Sequence, residues 1–411
     1  MLRVACGSSA SPTSTGVQTV DTGKDWRNKA IITCASFAEA IDTPKDRVSM
    51  SLGAWDGSTQ YSMSLMAQQN QGTSNTNRGQ NDGMIRTLSP TKSVQLDGDG
   101  TTLNTAGDFT INWLAVLSQA KLFSWMALGG DDLEEAKVSK FTSASPASTQ
   151  RYDLGLSASA VFLFGSFISA TIPTTSDNLV SGVAFLTKGQ TLGFGIYSQD
   201  NQAASTAHRD QRTDAIIAPG GGADAWRGSA MLEGRTLEIT WAVNTSEADF
   251  FVLALQGPQA KAVAITSPNA TTGVTSFGGF GFVGRGLLAG SVGADHVTAN
   301  QEDALLMLGK DDGATGIAST NTDEDEADPS VTKGTVDNDG PLTLRDIPSS
   351  HAITEQASVQ RYSVDGPNLN FTTNTSNERE YLLMQLGDRF SNFRGRQSVR
   401  GRVSQEHLSL R

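Results

Sequence analysis

The chain has 411 residues, a formal charge of −12, only 18 % charged residues, 42 glycines, two cysteines and four histidines. That length suits about three domains of the usual 100–150 residues, and short apolar runs separated by Gly-, Ser-, Thr- and Asn-rich segments fit a loop-rich β protein, not a helical bundle or a disordered chain. Cys6 and Cys34 with scattered His208, His296, His351 and His407 argue against a disulfide framework or a zinc site, the acidic balance argues against nucleic acid, and no apolar run approaches the roughly 20 residues of a membrane span.

Along the chain, Met1-Leu-Arg-Val-Ala-Cys6 lacks the basic and apolar regions of an export signal, which predicts a protein made in the cytoplasm and soluble or assembled there. Lys29-Ala-Ile-Ile-Thr33, Ala160-Val-Phe-Leu-Phe164 and Gly286-Leu-Leu-Ala289 are continuous apolar runs that predict strands covered on both faces. Phe109-Thr-Ile-Asn-Trp113, Leu237-Glu-Ile-Thr-Trp241 and Leu369-Asn-Phe371 alternate with period two and predict half-buried antiparallel strands. Glycine-rich punctuation such as Asp97-Gly-Asp-Gly100, Pro219-Gly-Gly-Gly222 and Asp365-Gly-Pro367 separates the runs, the spacing of a sandwich or jelly roll. Asp131-Asp-Leu-Glu-Glu-Ala136 has a helical look and is expected to be a linker.

These signals recur. Each alternating run is followed by a second apolar run that ends at a small-residue turn: Trp125-Met-Ala-Leu-Gly129, Leu253-Ala-Leu-Gln-Gly257 and Leu383-Met-Gln-Leu-Gly387. Ser9-Ala-Ser-Pro-Thr-Ser-Thr15 reappears as Ser143-Ala-Ser-Pro-Ala-Ser-Thr149, and loosely as Ser267-Pro-Asn-Ala-Thr-Thr-Gly273. Met63-Ser-Leu-Met66, then Asn70-Gln71 and Arg78, precedes Phe194-Gly-Ile-Tyr197, then Asn201-Gln202 and Arg209, by 131 residues. Internal repetition fixes the fold unit. The expectation is an all-β protein of three tandem antiparallel β-sandwich or jelly-roll-like repeats at 3–130, 137–257 and 261–388, able to close as a pseudo-trimer, with a basic C-terminal arm at 389–411. Each repeat is long enough to bury its own core.

Chemical motifs are few. Gly279-Phe-Gly-Phe-Val-Gly284 matches the dinucleotide fingerprint by letter, but β-type sequence follows where that mechanism needs a helix. Asp97-Gly-Asp99 opens like a calcium loop, but Asp108 at its twelfth position falls after an interrupted spacing, and Asp323-Glu-Asp-Glu-Ala-Asp328 reads as a solvated acidic loop. There is no Gly-x-Ser-x-Gly elbow, so no catalytic residue, cofactor or metal is expected and the chain reads as a non-enzyme. Trp26, Trp55 and Trp226 lie in glycine- or charge-flanked segments where a glycan could stack, whereas Trp113, Trp125 and Trp241 are expected in the core.

Residues 390–411 hold Arg394, Arg396, Arg400, Arg402 and Arg411 against Glu406 alone, leaving the body at about −16. Such an arm can order on an acidic partner surface through charge-assisted contacts, with Arg394, Arg396, Arg400 and Arg402 as docking residues.

The pairing of Ile111–Trp113 with Ala127–Gly130, and of Ile239–Trp241 with Ala254–Gly257, resembles repeats in virion structural proteins of tailed bacteriophages. The third repeat departs from it, with Phe371 for Trp and Gln385-Leu-Gly-Asp388 for the small-residue turn. The resemblance implies a virion role, assembled in the host cytoplasm. The expected function is a capsid decoration or cement protein with other virion proteins, capsid or tail, as partners. The alternative is a tail or baseplate protein whose sandwiches bind host surface glycans.

Overall fold

The structure, a computed structural model of the chain, describes residues 1–389 apart from 70, 105–106, 170, 204–205, 222, 294–300, 324–331, 347–350 and 376–377. Every regular element among them is a β-strand, and all pairing is antiparallel.

Three large sheets form the interior. Sheet L1 runs in the order Leu2–Ala10, Leu122–Gly130, Asn28–Ala35, Arg47–Trp55, Gln60–Gln68, Thr76–Asn81, with Thr174–Asp177 added at its edge. Sheet L2 runs Glu135–Ser143, Ala248–Gln256, Ala160–Ile168, Leu179–Thr187, Gln190–Ser198, Ala207–Arg212, with Gln301–Glu302 added at its edge. Sheet L3 runs Gln259–Thr266, Glu380–Gly387, Gly284–Ser291, Ala304–Asp311, Gly316–Asp323, Thr332–Asp337.

Each large sheet carries a four-stranded sheet on its outer face. S1 is Gly16–Val20, Phe109–Ala115, Val94–Leu103, Ile85–Leu88; S2 is Thr149–Asp153, Thr236–Asn244, Asp224–Glu233, Ile216–Pro219; S3 is Gly273–Ser276, Pro367–Asn374, Ile353–Tyr362, Leu342–Arg345.

The sequence pattern explains the layers. Strands of the large sheets are covered on both faces, so alternate residues enter different cores. In Leu122–Gly130, Phe123, Trp125 and Ala127 pack toward S1, while Met126 and Leu128 point inward. The outer strand Phe109–Ala115 buries only Phe109, Ile111 and Trp113 and leaves Leu114 exposed, the alternation of a half-buried sheet. Separate clusters fill L1/S1, L2/S2 and L3/S3.

A further core lies where the inner faces of L1, L2 and L3 meet. It joins Ile32, Leu52 and Met126 of L1, Phe164, Phe194 and Leu253 of L2, and Leu288, Leu308 and Met384 of L3. Tyr61 of L1 stacks on Phe251 of L2 with centroids 4.8 Å apart, an arrangement aromatic pairs favour. Gly290 of L3 lets the Phe194 ring of L2 lie on its backbone, in space a Cβ would occupy. Separate cores are therefore only part of the burial; a shared one holds the three sheets together.

One local expectation needs correction. The segment 131–136 is not a helix: Asp131 and Asp132 form a turn, Leu133 is buried in the shared core, and Glu135 begins a strand paired with Ala248–Gln256. Leu133, and Val138 just after the segment, serve the core, and the acids only flank Leu133. The glycines at 279–281 lie in a loop that leads into strand Gly284–Ser291, with Gly279 and Gly281 at φ of 94° and 77°. As the sequence leads one to expect, a strand and not a helix follows these glycines.

Candidate functional site

Polar contacts join the large sheets in a repeating pattern. In L1 the turn after Arg47–Trp55 is Asp56-Gly-Ser-Thr59. Asp56 Oδ1 accepts the N–H groups of Ser58 and Thr59 at 2.8 and 2.7 Å, and its Oδ2 accepts the Val138 N–H of L2 at 2.7 Å. In L3 the turn Asp312-Gly-Ala-Thr315 repeats this. Asp312 Oδ1 accepts from Ala314 and Thr315 at 2.9 and 2.7 Å, and Oδ2 accepts the Cys6 N–H of L1 at 3.2 Å. In L2 the turn is shorter, and Thr187 Oγ1 takes the Ala262 N–H of L3 at 3.3 Å. Cys6, Val138 and Ala262 pair with Met126, Leu253 and Met384 on the neighbouring strand of their own sheets. The clasps thus run L1 to L2, L2 to L3 and L3 to L1.

A second set runs the opposite way. Thr174–Asp177, which follows a strand of L2, pairs with the edge strand Thr76–Asn81 of L1. Gln301–Glu302, which follows a strand of L3, pairs with edge strand Ala207–Arg212 of L2. Lys45, which follows a strand of L1, bridges to Gly334 on edge strand Thr332–Asp337 of L3 through bonds of 3.1 and 3.0 Å. An open edge leaves N–H and C=O groups unpaired; here each large sheet has one edge covered by a segment from the next.

Beside the L3-to-L1 clasp lies a buried charged group. Lys310 is fully buried, its Nζ donating to Ser124 Oγ at 2.8 Å and Ser124 O at 3.2 Å across the sheets. Burial pushes its ammonium down to about 8, against the opposing pull of Cys34 and Cys6. Asp311, next along the strand, accepts the Tyr362 hydroxyl at 2.8 Å and the Gly313 N–H at 2.6 Å. Burial nevertheless pushes its carboxyl up to about 7. The thiol of Cys6 is raised by burial and by Asp312 and Asp311. Both cysteines are free and buried. A nucleophile in this position has no open path to a substrate.

Further polar burial is also structural. Arg345 and Asp337 form a buried ion pair, and Arg345 donates to His351 O at 2.9 Å. His351 is driven down to about 3 by burial and by Arg345 and Lys333, so it stays neutral. A cavity of about 140 Å³ gathers Arg209, Arg345 and Arg379 with Asp303 and Asp346, a lining of mixed charge. Larger open grooves of about 580 and 600 Å³ flank Glu134, the first lined also by Arg27, Lys29, Asp56 and Glu135, the second by Lys188 and Arg389.

Sequence-expected site residues fare unevenly. Trp55 and Trp226 are 2 % and 5 % exposed, so the expectation that they offer rings to a glycan is corrected. The Trp55 ring lies on Gly100, where a Cβ would meet it, and Trp226 packs 5.1 Å from Phe167 and donates to Ser246 O at 3.0 Å. Trp26 is half-buried, against Gly129. Trp113, Trp125 and Trp241 are core residues as expected. Asp97 is held by Arg86 at 2.6 Å and by Asn81 at 3.3 Å, which occupies the carboxylate a calcium loop would need. Among the described residues no group of three or more His, Cys, Asp and Glu is placed to hold a metal, and no helix is long and apolar enough to cross a membrane. Arg394, Arg396, Arg400, Arg402 and the acidic run 324–328 lie outside the described residues. Arg389 ion-pairs with Glu134, and its N–H bonds Asp132 at 3.1 Å.

Sequence reasoning missed the clasps, although Asp56-Gly-Ser-Thr59 and Asp312-Gly-Ala-Thr315 are a visible repeat. It also missed Lys310, whose neighbours are remote in sequence. No protein family, curated protein or solved structure matches the chain.

Proposed function

We propose that the chain consists of three tandem β-sandwich repeats, 3–130, 137–257 and 261–388, closed into a pseudo-trimer, and that it is a non-enzymatic structural protein of a tailed-phage virion, a capsid decoration or cement protein. The observation that carries this reading is the double cyclic closure: three clasps in one direction and three edge covers in the other, at matching positions of L1, L2 and L3. A chain closed in this way presents three equivalent faces about one axis, the symmetry of a threefold lattice position. Weak contacts from each face then reinforce one another, raising avidity by roughly two to four orders of magnitude. The arginines of the arm 389–411 supply charge-assisted contacts to acidic surfaces of neighbouring virion proteins. Lys310 and Asp311, both strongly shifted by burial, lie in the interior, which favours a scaffold over an enzyme.

Electron cryo-microscopy of intact particles tests the reading. Density for the chain at threefold positions of the head, in a copy number set by the lattice, is the expected outcome. A few copies confined to the tail would overturn it. Deleting 390–411 should abolish incorporation while the body keeps its melting temperature.

A further inference from the structure

Each large sheet has one edge covered by a segment of the next, but the outer sheets have no such cover on strands Gly16–Val20, Thr149–Asp153 and Gly273–Ser276. Strands Gly16–Val20, Thr149–Asp153 and Gly273–Ser276 each end their sheet, and among the described residues each packs substantially on one other strand alone, its hydrogen-bonded neighbour. The three edges are equivalent in register: Gly16 pairs with Trp113, Gly273 with Phe371, and Ser148, just before the second edge, accepts the Trp241 N–H at 3.1 Å. Val17 and Val274 stand opposite Asn112 and Asn370 and are 71 % and 58 % exposed. An uncovered edge strand is a template for an added strand, and proteins that must avoid such addition place charges, proline or bulges along it. Gly16-Val-Gln-Thr-Val20 and Gly273-Val-Thr-Ser276 carry no charge and no proline, whereas Thr149–Asp153 has no proline but carries Arg151 and Asp153, ion-paired with Glu238 and Arg235 of its own sheet region.

The chain itself contains a segment suited to these edges. Ser398-Val-Arg-Gly-Arg-Val-Ser404 alternates with period two, Val399 and Val403 on one side and Arg400 and Arg402 on the other, and has no proline. That is the pattern of a half-buried strand at a sheet border. The segment belongs to a stretch with five arginines and one acid, whereas the body is acidic at about −16. Asp21 follows the first edge directly and Asp153 ends the second, both exposed. Residues 390–397, the tether before this segment, span about 26 Å when extended at about 3.3 Å per residue, enough to reach the outer edge of a copy that lies alongside.

We propose that residues 398–404 of one copy of the chain add as a fifth strand to the free outer edge of S1, S2 or S3 in a neighbouring copy, so that the arm ties adjacent copies to one another. This rests on the arm being the docking device of the proposed function, and it names the surface the arm docks on. Backbone hydrogen bonds along the edge supply affinity. The arginines lie on the solvent side near Asp21 or Asp153, and the valines extend the apolar side of the outer sheet.

Sedimentation and amide hydrogen exchange of three proteins test this: the full chain, a chain ending at Arg389, and the full chain carrying Val17→Arg and Val274→Arg. Both substituted positions are exposed, so the variants should fold, and their melting curves check that. The full chain is expected to associate as its concentration rises, with slowed exchange at 16–20, 149–153 or 273–276 appearing together with association. Truncation should abolish association, and the double substitution should weaken it by about tenfold or more, equivalent to about 1.4 kcal/mol. A full chain that stays monomeric would overturn the proposal. So would association that survives truncation, or edge protection independent of concentration, which would place the arm on its own body. The decoration reading is judged separately by where the protein lies on the particle.

Discussion

The Asp312 carboxylate accepts the backbone N–H of Cys6 at 3.2 Å across 306 residues of sequence, as Asp56 accepts that of Val138 at 2.7 Å across 82. In both turns one carboxylate oxygen orders the turn and the other reaches the next sheet, so one side chain couples local and long-range structure. Asp56→Ala removes four acceptor contacts, one of them to the Ser58 hydroxyl, and leaves the N–H of the buried Val138 without its partner. The expected cost is about 1–3 kcal/mol, the desolvation penalty of an unmet donor. Thermal denaturation followed by circular dichroism reads it; an unchanged melting temperature would mean the clasp contributes nothing.

Secondary structure was legible because the two sheet types demand different patterns. Lys29–Thr33 and Ala160–Phe164 are continuous because both faces are covered, and Phe109–Trp113 alternates because one face meets water. The match of Ser9 with Ser143 is off by two. It is Ser11, Ser143 and Ser267 whose hydroxyls accept the N–H groups of Lys121, Ala248 and Arg379 at 3.0, 3.2 and 2.9 Å. Letter identity in a Ser-rich corner could not distinguish the two alignments, because only strand register does. Trp55 misled for another reason. Its chain neighbours Asp56 and Gly57 are turn residues, but the ring is covered by Gly100, which is remote in sequence.

That burial sets a prediction for the tryptophans. Trp55→Ala should cost about 3–5 kcal/mol, the range for deleting a buried aromatic side chain. Trp26→Ala, at a half-buried position, should cost clearly less. Urea denaturation of both variants measures the difference. Equal losses would contradict the packing of Trp55 on Gly100.

Lys310 should make stability depend on alkaline pH. Its folded value of about 8 lies below the ordinary 10.5, so between these values the unfolded chain binds more protons and stability rises with pH. At pH 7 the buried ammonium costs about 3 kcal/mol, from a depression of 2.5 units at 1.36 kcal/mol each. Lys310→Met, of similar length and apolar, should therefore be more stable than the native chain at pH 7, and the gap should close above about pH 10. The buried thiols, both raised above their ordinary 9.0, add their own alkaline dependence, so the informative quantity is the difference between native and variant melting temperatures across pH. A gap independent of pH would mean that Lys310 binds its proton equally well in the folded and unfolded chain, so that burial does not depress it.

Asp311 gives the opposite dependence at lower pH. Its folded value of about 7 lies above the ordinary 3.8, so the folded chain binds the extra proton, and stability is lost as pH rises from about 4 to about 7. The loss amounts to about 4 kcal/mol for a fully ionised group, an upper figure because Tyr362 and Gly313 stay as donors to its Oδ1. Asp311→Asn keeps that acceptor and removes the titration. Relative to the native chain it should gain stability steadily between pH 4 and pH 7, with no further gain above pH 8 until other groups titrate. Since Lys310 and Asp311 adjoin on one strand but point to different faces, the central core and the L3/S3 side, the double variant should show both dependences lost and their energies nearly additive. A coupling larger than about 0.5 kcal/mol between the two would mean that the charges sense each other through the sheet.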